Sequence, residues 1–111
     1  MPNTAQVVVG VVDGGIAINL SWYRLEGDAH WEFRDIVLRT AGFSTPRLVN
    51  LAKNKRTGDE GWKVDWNAWR IGKDECELHG VNPRHAVERL RAWFAGPEPE
   101  AVFSISFQVP S

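Results

Sequence analysis

Asn82-Pro83-Arg84-His85-Ala86-Val87-Glu88-Arg89-Leu90-Arg91-Ala92-Trp93-Phe94-Ala95-Gly96 is the stretch that decides how the chain is read, because its start, period and stop all name the same helix. Asn82 can cap the free N–H groups of a first turn, and Pro83 sits where its missing N–H costs nothing. Gly96 followed by Pro97 supplies a left-handed stop. Val87, Leu90, Trp93 and Phe94, with Ala86 beside them, recur at the helical period as one apolar stripe, while Arg84, Glu88 and Arg91 lie opposite at pairing distance. One helix over residues 83–95 must then cover one sheet, because everything on either side of it reads as strands.

Ahead of the helix, residues 6–12 are rich in valine, Asp13-Gly14-Gly15 tolerates the positive φ of a tight turn, and Ile16, Ile18, Leu20 and Trp22 alternate on one face: a hairpin. Residues 30–40 put Trp31 and Phe33 in one phase and Ile36 and Leu38 in the other, which predicts a strand with a bulge near Arg34-Asp35. Residues 47–52 fit either a helix start after Thr45-Pro46 or a strand, and are taken as a strand. A polar loop over residues 53–61 follows. Trp62, Val64, Trp66 and Ala68 alternate as a strand, and Gly72-Lys73-Asp74 turns the chain into a partner strand over 75–79 with Cys76 and Leu78 inward. Beyond the helix, Pro97-Glu98-Pro99-Glu100 reads as a stiff linker and residues 101–109 as a final strand. The expected fold is α+β: a single-layer, mostly antiparallel sheet of five to seven strands against one C-terminal helix.

The 111 residues suffice for a single domain, 1–111, with one core. With 43% hydrophobic and 24% charged residues the composition is that of a globular protein. No apolar run approaches the roughly 20 residues of a membrane span, and no signal peptide is visible, so the expected compartment is the cytoplasm. One cysteine excludes an intrachain disulfide. A net charge of -1 argues against a duplex-DNA binder.

The groups that catalysis needs are sparse: Cys76, His30, His79, His85 and scattered carboxylates form no recognised motif, and no His or Cys spacing supports zinc. Neither an enzyme nor a cofactor is expected. Six tryptophans suit a stacking platform or an interface anchor, but also a small core that gains stability by burying large aromatics. The phase slips leave Trp31 or Trp69 facing solvent. Asp59, Glu60, Asp65, Asp74, Glu75 and Glu77 form an acidic cluster, of which Asp65, Glu75 and Glu77 share one outward hairpin face; such a face can steer a basic partner, and equally fits an ordinary solvated surface.

Trp22-Tyr23, Asp28, Trp31-Glu32, then Asp65-Trp66, Arg70-Ile71, Cys76-Glu77, Gly80, Asn82-Pro83 and the helix closing at Leu90 and Trp93 occur in an order that resembles a small immunity-protein family of bacterial polymorphic toxin systems, over residues 22–95. The chain departs from that pattern at both ends, with a hairpin where the family has a helix and an added last strand. The resemblance implies a non-enzymatic inhibitor of a cognate protein toxin. Combined with the acidic face it names Asp28, Trp31, Glu32, Asp65, Trp69, Asp74, Glu75 and Glu77 as partner-binding. The alternative is a small ligand-binding module for single-stranded nucleic acid or carbohydrate, using exposed tryptophans and the basic residues Arg47, Lys53, Lys55 and Arg56. An exposed edge strand would also permit a homodimer.

Overall fold

The computed structural model describes residues 3–21, 25, 27–57 and 64–110, with the backbone alone described at 55–57 and 64–66. The first hairpin is as expected: β1 (Asn3–Val12) and β2 (Gly15–Ser21) pair antiparallel with Val12 opposite Gly15. Asp13 and Gly14 between them take φ of 51° and 77°, the backbone of a primed turn whose twist matches the strands.

The strand with a bulge expected over 30–40 is corrected to a 14-residue helix, α1 (Asp28–Ala41). The change of phase between Phe33 and Leu38 is the helical period itself: Phe33, Val37 and Ala41 fall four apart and are buried, with Leu38 beside them. Gly42 at φ 112° ends the helix, its N–H on the Arg39 carbonyl and that of Phe43 on Leu38, 3.0 Å each, a left-handed cap that only glycine enters without strain.

The strand expected at 47–52 is also displaced. Pro46–Leu48 forms a single 3-10 turn, and β3 (Ala52–Thr57) starts where the expected strand was to end, inside the expected loop. The Arg34 guanidinium fastens this connection to α1 by donating to the Pro46 and Val49 carbonyls at 3.2 and 3.3 Å. β4 (Val64–Ile71) is the expected tryptophan strand. The partner strand expected at 75–79 is corrected to a helix, α2 (Lys73–Leu78), in which Cys76 is buried as expected but Leu78 is 77% exposed. Six residues with a single buried position satisfy one turn of helix as readily as a short alternation, and Asp74 and Glu75 in its first turn favour the helix.

α3 (Pro83–Ala95) has the expected bounds. The Asn82 side chain accepts from the N–H groups of Arg84 and His85 at 3.0 and 3.3 Å. Gly96 is extended, not left-handed, at φ −84°, so Pro97 rather than a glycine cap stops the helix. The expected linker is a short helix, α4 (Glu98–Phe103), and the last strand shortens to β5 (Ile105–Gln108).

The sheet runs β3-β4-β2-β1-β5. Three pairings are antiparallel and β5 joins β1 in parallel, so the sheet is mixed, with four α-helices among the described residues in place of the single one expected. α3 crosses β1, β2 and β5; its 13 residues span about 20 Å, enough to carry the chain back to the start of β1. Ala5, Val7, Val9, Ile18, Leu20, Trp69, Ile71, Ile105 and Phe107 are buried on the helix side. Thr4, Gln6, Val8, Asn19, Arg70 and Gln108, which alternate with them, are exposed on the other. Phe33 joins the layers, stacked on Phe107 at 5.9 Å and edge-on to Phe103 at 5.4 Å.

Candidate functional site

The residues named from sequence do not share one face. Asp28, Trp31 and Glu32 lie in the first two turns of α1 and are exposed. Asp74, Glu75 and Glu77 lie on α2, which follows the far end of β4, so the acidic sheet face expected from Asp65, Glu75 and Glu77 is not formed: two of its three members belong to a helix. The backbone of Asp65 is in β4, and its side chain, like Asp59, Glu60 and Trp22, lies outside the described residues. Trp69, expected to face solvent, is fully buried. It stands opposite Ile18 on the helix side of the sheet and edge-on to Phe33 at 5.8 Å.

Glu75 is structural. Its carboxylate accepts from the Asn50 N–H at 2.7 Å and contacts His79 Nε2 at 3.2 Å, tying α2 to the segment ahead of β3. Beside it, burial pushes the Cys76 thiol above its ordinary value, and the Glu75 and Glu77 carboxylates push it the same way. That is the environment of a space-filling thiol, not of a nucleophile.

What remains is the outward stripe of α1. Asp28, Trp31, Glu32, Asp35 and Arg39 recur at helical spacing along it. Trp31 is 65% exposed, a large apolar surface left in water between two carboxylates, with the His30 ring edge-on at 5.5 Å to steady it. The same His30 also reaches β3. There Lys53 places its ammonium 2.9 Å from His30 Nε2 and 5.9 Å from the centre of the Trp69 ring, near enough for the ring face to attract the cation. Lys53 reaches that position because the register sets it opposite Trp69. Two positions further out, Asn67 is 1% exposed. Its carboxamide, like the Trp69 indole N–H, meets no hydrogen-bond partner among the described residues.

Sequence reasoning found Trp31 and its flanking acids and missed Asp35 and Arg39, which an i, i+4 pairing would have shown once the segment was read as helix; their side chains meet at 2.8 Å. It separated His30 from Lys53, whose meeting depends on the register of an edge strand. Of the basic residues named for the ligand-binding alternative, Arg47 is on the 3-10 turn and Lys53 on β3, whose backbone also carries Lys55 and Arg56; the side chains of these two lie outside the described residues. Among the described residues no three His, Cys, Asp or Glu side chains come together as metal ligands, and no helix is long and apolar enough to cross a membrane. Comparison with known proteins matches the chain to no family model, no curated protein and no solved structure.

Proposed function

We propose that the chain is a non-enzymatic, immunity-type protein that binds a cognate bacterial toxin through the first half of α1. The observation that carries this reading is Trp31, 65% exposed with Asp28 and Glu32 on either side. Tryptophan is the residue most enriched among side chains that dominate interface energies, and a solvated tryptophan gains the most from being covered. The flanking carboxylates attract a basic partner and hasten encounter at low salt. α1 presents the stripe on a rigid support, since Phe33, Val37 and Ala41 anchor its other face in the core. The order of Trp-Glu, Asp-Trp and Asn-Pro motifs adds the resemblance to toxin-immunity proteins. Asp74 and Glu77, although exposed, lie on α2 and take no part in this surface.

The test expresses the products of the genes flanking the chain's own, with and without the chain. The wild-type chain rescues growth and binds the toxin. Trp31→Ala weakens binding by about 2 kcal/mol or more, roughly thirtyfold. Asp28→Lys with Glu32→Lys slows association and flattens its dependence on salt. Rescue and affinity unchanged in both variants would exclude this surface, and a chain that neither binds nor rescues would exclude the function.

A further inference from the structure

We infer that the cleft between the second half of α1 and the turn at residues 44–48 is a binding site for a small monocarboxylic acid with an apolar body. The cleft has a volume of about 460 Å³, within the range of small-molecule sites. One wall is Asp35 and Arg39 of α1 and the other is the 3-10 turn with its Arg47 and Leu48. The walls are held before any ligand arrives. Arg34 pins the turn from beneath through the Pro46 and Val49 carbonyls, and Arg39 reaches across to the Ser44 carbonyl at 3.5 Å.

Charge selects the ligand. The two guanidinium groups face one carboxylate, and Asp35 already holds Arg39 Nε at 2.8 Å. Arg47 is exposed and pairs with no carboxylate among the described residues. The cleft therefore keeps one net positive charge, carried by a planar fork that matches a single carboxylate. A monocarboxylate balances that single charge, whereas a phosphate dianion would leave one negative charge unbalanced beside the Asp35 carboxylate. Apolar surface selects the rest of the ligand: Pro46 is buried at the floor and Leu48 is 68% exposed at the rim, a shelf for an aromatic or branched aliphatic group beside the carboxylate.

The experiment titrates the full chain with phenylacetate, acetate and inorganic phosphate and follows backbone amide shifts by NMR. Phenylacetate is expected to give saturable shifts at Thr45, Arg47 and Leu48, with a Kd in the millimolar range suited to about ten heavy atoms in a half-open site. Arg47→Gln weakens it about tenfold or more. Leu48→Ser weakens phenylacetate and leaves acetate unchanged, whereas Asp35→Asn, which releases Arg39, tightens both. The inference is overturned if phenylacetate gives no saturable shift, if phosphate binds more tightly than phenylacetate, or if Arg47→Gln leaves the Kd unchanged. No toxin enters the assay, so its outcome is separate from that of the α1 interface.

Discussion

Cys76 shows how a single side chain couples this fold to pH. Its thiol is buried and its pKa raised, first by desolvation and then by the neighbouring carboxylates. The folded state thus holds the thiol proton more tightly than the unfolded chain does. The stability tied to that proton is complete below the unfolded value of about 8.5 and is lost as pH rises through the folded one. Unfolding free energies from urea titrations taken from neutral to alkaline pH are expected to fall for the wild type with a slope approaching about 1.4 kcal/mol per pH unit beyond what Cys76→Ala shows. Identical slopes in the two proteins would mean that the thiol ionises freely in the fold. That Cys76 faces inward was legible because a strand and a helix both bury that position. The exposure of Trp31 and the burial of Trp69 were not equally legible, since each depends on which face of its element meets the core. In β4 the buried set is Asn67, Trp69 and Ile71, and a polar residue among them argued for the opposite face.

Among the elements, α3 was readable to the residue because its cap is written in local chemistry. Asn82 satisfies two N–H groups that the helix leaves free. Replacing Asn82 with Ala is expected to cost about 1 kcal/mol, and Asn82→Asp much less, both read from the shift of the urea midpoint. Equal midpoints for the wild type and Asn82→Ala would assign the start of α3 to Pro83 and to packing alone. α1 and α2 carry no such mark: the residue before α1 is Gly27, and neither helix has a side-chain cap. Their period had to speak for itself, and over the short window from Trp31 to Leu38 a helix mimics a strand with a slipped phase. The candidate interface suffered with them, because the acids of α2 were placed on a strand that is a helix.

In the molecule as a whole, the class α+β was in the sequence, but of the five to seven strands expected two became helices, and neither the mixed sheet nor its order β3-β4-β2-β1-β5 could be read. Alternation says which face a strand buries and is silent about its neighbour and its direction. β5 lies beside β1 because α3 and α4 return the chain to the level of Asn3, whose N–H donates to the Ser104 carbonyl at 2.7 Å. That arrangement governs how the protein bears a mechanical load. Tension applied at Asn3 and Gln108 draws two parallel neighbours past each other along their length, so the bonds that pair Asn3 through Gln6 with Ile105 through Gln108 are strained together and must give way at once. Pulled instead from Asn3 and Ser21, which leave the β1–β2 ladder near the same end, the hairpin opens one pair at a time. In an optical trap the first geometry is expected to yield at several times the force of the second, which makes the β1–β5 pair the molecule's clamp.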